Sequence, residues 1–167
     1  DRYSWLRTNY GLDLMHHDQV IEQHKEFQGI YFLISRRKSE TVVLTQGNTF
    51  YGYCEEDSSF RRIETLFPFD RYITSWAGVS DSVYIFRTDG IYRTNFAARK
   101  AGEPSRLGTL ECIQPMTLSY AFADRDSVLL IDSRGVLYAF DPKSEVLEYI
   151  ADIRNEIEHY GKVSYAI

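Results

Sequence analysis

The sequence is short of nearly everything that announces a familiar chemistry. Its two cysteines, Cys54 and Cys112, lie far apart in 167 residues and make no CxxC pair, no Cys/His ligand spacing and no disulfide framework. They read as two free thiols. No apolar run approaches the roughly 18 to 20 residues that span a bilayer, and no charged-then-apolar leader opens the chain. No Asn-x-Ser/Thr acceptor occurs. These absences favour a reducing, cytoplasmic setting with no membrane as partner. Asp1 rather than Met opens the chain, as in a cut piece or a processed product. Basic charge is scarce too: 19 Lys+Arg against 24 Asp+Glu leave a net charge of −5. That sign opposes phosphate binding, so no nucleic acid is expected as partner. Gly-x-Ser-x-Gly elbows, phosphate loops and dinucleotide fingerprints are missing, which leaves nucleophilic and nucleotide-dependent chemistry without support.

What is present is aromatic and repetitive. Tyr, Phe and Trp make up 15% of the residues, a bias toward strands, because planar side chains fit a pleated surface. Asp81 to Tyr92 lies over Asp126 to Leu137 without a gap, apolar on apolar, with Asp, Ser, Val and Gly identical. Thr41 to Phe50 is an earlier copy, with Asn48 at the glycine position, and Val163 to Ile167 lies over Leu118 to Phe122 as the start of another. Such a period marks a repeat architecture.

The last full copy predicts four strands, Met116 to Ala123, Ser127 to Ile131, Val136 to Phe140 and Glu145 to Ala151. Arg134-Gly135 and Thr88-Asp89-Gly90 supply tight turns that need a residue tolerant of positive φ, and Asp141-Pro142-Lys143-Ser144 supplies the next. The fold expected is therefore all-β: a β-propeller of about four blades, each of four antiparallel strands. A Greek-key sandwich is the competitor, but it has no reason to repeat turn residues at constant spacing. The chain is expected to form one domain over 1–167, with a partial blade at 1–27, blades at 28–70, 71–115 and 116–161, and the first strand of a split or next blade at 162–167. Either the termini share a blade and close a small ring, or the chain is an excerpt of a larger propeller.

Gly135-Val136-Leu137-Tyr138-Ala139-Phe140-Asp141-Pro142-Lys143-Ser144 resembles a generic β-propeller blade of the kelch or quinoprotein sort, in which Gly-x-x-Tyr-x-Phe/Leu-Asp-Pro marks the third strand and the turn after it. The kelch Gly-Gly pair, a Trp-Asp pair closing the third strand and the sialidase-type Asp box are all absent. Tyr84 to Arg87 and Tyr92-Arg93 also resemble runs of hemopexin-like four-bladed rings, yet Cys54 and Cys112 are misplaced for the cysteine bridge of those rings. The resemblance implies a fold and no single family.

Candidate chemistry is thin. His16 and His17 are adjacent, so on a strand they point to opposite faces, and with His24 they do not make a ligand set; no metal and no cofactor are expected. Asp124-Arg125-Asp126 lacks the array of a calcium loop. Asp70, Asp124 and Asp152 could serve a glycosidase-type hydrolase, but each falls in a predicted turn, where Asp is common for backbone reasons. The basic clusters Arg36-Arg37-Lys38, Arg99-Lys100 and Lys143 are offset by Glu55-Glu56-Asp57. Asp152 to Gly161 predicts a short helix that interrupts the period.

The function expected is a non-catalytic interaction module, not an enzyme, binding a protein or peptide partner through Phe69, Arg71, Arg87 and Arg134, within a larger chain or complex. Two alternatives stand beside it. One is a sugar or small-ligand site at the ring axis, lined by the first-strand aromatics Tyr31, Trp76 and Tyr120. The other is a hydrolase using Asp70 or Asp124.

Overall fold

A computed structural model of the chain describes residues 3–46, 49–64, 73–79, 81–124 and 126–155. Within these the protein is all-β: three four-stranded antiparallel sheets and one three-stranded sheet, none closed on itself. Sheet 1 holds β1 (Tyr3–Thr8), β2 (Gly11–His16) and β3 (Gln19–His24). Sheet 2 holds β4 (Ile30–Arg37), β5 (Glu40–Thr45), β6 (Phe50–Cys54) and β7 (Ser59–Ile63). Sheet 3 holds β8 (Ile73–Val79), β9 (Ser82–Arg87), β10 (Gly90–Asn95) and β11 (Glu111–Pro115). Sheet 4 holds β12 (Leu118–Asp124), β13 (Ser127–Asp132), β14 (Val136–Asp141) and β15 (Val146–Asp152). Every sheet runs in simple up-and-down order.

The strands of sheet 4 begin and end where local chemistry dictates. In β13 Val128, Leu130 and Asp132 are buried while the residues between them are less so, the period-two signature of a strand. The Asp132 carboxylate then accepts the N–H groups of Arg134 (2.8 Å) and Val136 (2.9 Å), and Gly135 takes φ +78°, which closes the turn. After β14, Asp141 accepts Lys143 N–H (2.9 Å) and the Ser144 hydroxyl (2.6 Å) and turns the chain into β15. Asp152 ends that strand and accepts Arg154 N–H, so the predicted helix is entered at Arg154-Asn155 and its remainder lies outside the described residues.

The chain divides into two compact units, residues 1–68 with 95–109, and 69–94 with 110–167. The first contains sheets 1 and 2 and the segment that joins β10 to β11; the second contains sheets 3 and 4. The joining segment packs on β6 within the first unit. There Ser105 N–H donates to the Tyr53 carbonyl (2.9 Å), and a Cβ on Gly52 would lie 1.8 Å from the Ser105 carbonyl oxygen. Only glycine permits that approach.

Sheets 2, 3 and 4 share a register defect that sets their residues in correspondence. In the first strand of each, pairing skips one residue: Tyr31, Thr74 and Ser119. Each follows a buried apolar residue, Ile30, Ile73 or Leu118. Beyond the bulge Phe32 pairs with Leu44, Ser75 with Phe86 and Tyr120 with Ile131. Sheet 1 joins the series one strand late. Its β1 runs through a two-residue turn to Gly11 as β9 runs to Gly90, which aligns Trp5 with Tyr84 and Leu12 with Ile91.

Candidate functional site

The correspondence reveals how sheets pack inside each unit. In the second unit Tyr84, Phe86 and Ile91 of sheet 3 meet Val128, Leu130, Phe140 and Leu147 of sheet 4. The sheet 4 residues equivalent to Tyr84 and Phe86 are Leu129 and Ile131, on the opposite face from Leu130 and Phe140. One sheet thus offers its front and the next its back. The first unit repeats the arrangement: Trp5 and Leu12 on the front of sheet 1 meet Val43, Tyr51 and Phe60 on the back of sheet 2. Even the central ring pair recurs. Trp5 stands edge-on to Tyr53 with centroids 5.2 Å apart, and at the equivalent positions Tyr84 stands edge-on to Phe140 at 5.4 Å.

The polar groups around these contacts differ. In the first unit Glu22 is enclosed by donors: the Tyr53 hydroxyl (2.6 Å), Lys38 Nζ (2.7 Å) and the Ser58 hydroxyl (3.2 Å). Burial pushes the Glu22 carboxyl up, but the bonds from Lys38 and Tyr53 and the Lys38 charge outweigh it, leaving it below the usual range. Burial and the same bond push the Tyr53 hydroxyl up. His24, 6% exposed, lies between Trp5 and Phe60; Nδ1 is 3.3 Å from Glu26 Oε1, and Nε2, 3.5 Å from Glu22 Oε2, makes no hydrogen bond among the described residues. Trp5 Nε1 donates to Thr41 Oγ1 (3.0 Å). A carboxylate holding three donors and a phenol held protonated are poor proton carriers. The cluster joins two sheets. In the second unit the Tyr84 hydroxyl (2.8 Å) and Arg93 (2.7 Å) both donate to Glu145 Oε1, and Arg93 also donates to Glu111 (2.6 Å).

The residues singled out from sequence scatter. Phe69 and Arg71 lie outside the described residues, as does Asp70, and the Asp124 side chain is likewise not described. Arg87 is 7% exposed, paired with Asp89 at 3.1 Å and laid over the Tyr92 ring at 4.7 Å. Burial and the bond to Asp89 push the Tyr92 hydroxyl up to about 12. Arg134 is open, its side chain 72% exposed while it pairs with Asp132 at 2.8 Å. Tyr31 is exposed at the bulge of β4, in the first unit. Trp76 and Tyr120 share the second unit but not a position: Trp76 corresponds to Ala121 on the back, Tyr120 to Ser75 on the front. Cys54 is buried and Cys112 exposed, both as free thiols. Among the described residues no group of three or more His, Cys, Asp and Glu could hold a metal ion, and no helix is long and apolar enough to cross a membrane.

Sequence reasoning missed the open sheet faces. The front of sheet 4 carries Tyr120, Phe122 (47% exposed), Val146 and Ile150 as exposed side chains, with Leu129, Ile131 and Leu137 half-buried between them. The corresponding front residues of sheet 3, Tyr84, Phe86 and Ile91, are buried. On the back of sheet 1, Leu6 (50% exposed) and Val20 are exposed and Met15 is half-buried. Alternating apolar residues were visible in both strand sets; which face stayed open was not. No protein-family model, no curated protein and no solved structure matches this chain.

Proposed function

We propose that the chain is a non-catalytic, protein-binding β-propeller module that engages its partner through the front of sheet 4. The propeller reading is supported by the front-to-back rule in both units and by β8 lying alongside β12, first strand beside first strand. A sandwich related by a two-fold axis would bring equivalent faces together. Blades about a common axis offer a front to a back each time. The rule fits a closed small ring and an excerpt of a larger one alike. A cytoplasmic, reducing setting accords with the exposed thiol of Cys112.

The observation that carries the binding role is the exposed apolar front of sheet 4, where the matching surface of sheet 3 is covered. Arg134, open at the turn after β13, extends it with a charge. A photoreactive phenylalanine analogue at position 122, introduced in the native host, is expected to yield a discrete covalent adduct absent when the analogue sits at Lys143. Equal, diffuse labelling at both positions would overturn the reading.

A further inference from the structure

We infer that the partner segment seated on the front of sheet 4 carries a lysine or arginine among apolar side chains, and that Glu148 receives the cation; this rests on the binding role just proposed. Glu148 lies in β15 opposite Ala139 of β14. The third-strand residues Leu14, Arg93 and Ala139 correspond, each standing two beyond the matched Leu12, Ile91 and Leu137. Their fourth-strand partners are Glu22, Glu111 and Glu148. Three sheets thus place a carboxylate at one position of the front.

Where the front is covered, that charge is answered. In the second unit Arg93, on the neighbouring strand of the same sheet, pairs with Glu111 at 2.6 Å and reaches Glu145 of the covering sheet at 2.7 Å. In the first unit the neighbouring residue is Leu14, which offers no charge, so the covering sheet supplies it: Lys38, in the turn between β4 and β5, lies 2.7 Å from Glu22. Sheet 4 follows the second pattern. Ala139, like Leu14, offers no charge, and Glu148 is exposed without an ion pair or hydrogen bond among the described residues. A wholly apolar cover would leave this carboxylate buried and unpaired, a penalty set against the gain from covering Leu129, Leu137 and Val146. A cation in the cover removes that penalty, and an acidic cover is repelled.

The test keeps the full chain, the native host and the photoreactive phenylalanine analogue at position 122. Glu148→Gln should lower the yield of the discrete adduct about two- to fivefold, the worth of one partly exposed ion pair. Glu148→Lys should lower it about tenfold or more, because like charges then meet. Asp126→Lys makes the same change in net charge at a side chain 88% exposed in the turn between β12 and β13, and should leave the yield unchanged. With the analogue moved to Val146, two residues from Glu148 on the same strand, the cross-linked peptide read by mass spectrometry should contain a lysine or arginine among apolar residues. These positions are exposed, and thermal melts by circular dichroism verify that each variant folds. A yield indifferent to both Glu148 variants, or an acidic cross-linked peptide, refutes the inference and leaves the binding role standing. Diffuse labelling of the unsubstituted chain at position 122 removes the binding role and this inference with it.

Discussion

The two units build the same contact from different materials. In the second the ring pair is Tyr84 on Phe140, wholly apolar at its centre, with the hydroxyl, Arg93, Glu145 and Glu111 gathered at the side. In the first the pair is Trp5 on Tyr53, and a hydroxyl, a carboxylate, an imidazole and an indole N–H are drawn into the contact itself. The shared geometry shows that shape at these positions is set by the repeat. The difference shows that polarity is free to vary at these positions: Glu22, Tyr53 and Trp5 all find hydrogen-bond partners, and His24 Nε2 makes none among the described residues. The first contact is thereby the more specific, since a hydrogen-bonded ring tolerates fewer exchanges than an apolar one.

Substitutions at the matched ring positions sharpen that comparison. Phe140→Ala removes a wholly buried ring and should have the largest effect, a loss of about 3–5 kcal/mol by chemical denaturation. Gly52→Ala forces the segment after β10 away from β6 and should cost about 2–3 kcal/mol, with earlier proteolysis of residues 96–110. Tyr53→Phe strips one donor from Glu22 and should cost about 1–2 kcal/mol, whereas Tyr84→Phe, whose partner keeps Arg93, should cost about 0.5–1 kcal/mol. Equal losses for the two hydroxyls would erase the distinction between the units.

Acidity supplies the last comparison. Glu22 is held below the usual carboxylate range in the folded chain, so its contribution is present above the ordinary glutamate value of about 4.3 and disappears as pH falls through the lower folded value. Melting temperature should therefore drop between about pH 5 and pH 3 more steeply in the wild type than in Glu22→Gln. Identical slopes would show that the donors around Glu22 do not favour its charged form.

Strands and turns were readable because they are local. The runs chosen for the last repeat match β12 to β15 within two residues, and Gly135 falls where the turn needs positive φ. Pairing across sheets was not readable. The skipped residues Tyr31, Thr74 and Ser119 have different side chains and the same role, so no sequence pattern marks them. Hence Tyr31, Trp76 and Tyr120 looked alike as first-strand aromatics while Trp76 and Tyr120 occupy opposite faces. Arg87 looked like a surface cation because its turn is polar; the Tyr92 ring that covers it belongs to the next strand. The departure of residues 95–109 to the first unit was signalled only by a glycine between two tyrosines, Tyr51-Gly52-Tyr53.

That departure governs the order of assembly. Because the first unit borrows residues 95–109, it stays incomplete on the ribosome until the polypeptide has passed through β8, β9 and β10. The β10–β11 hairpin in turn closes across a long excursion rather than a tight bend, an entropic toll that slows nucleation. The backbone crosses between the units at three places, so no single truncation yields either one whole, and their folding is entwined from synthesis onward.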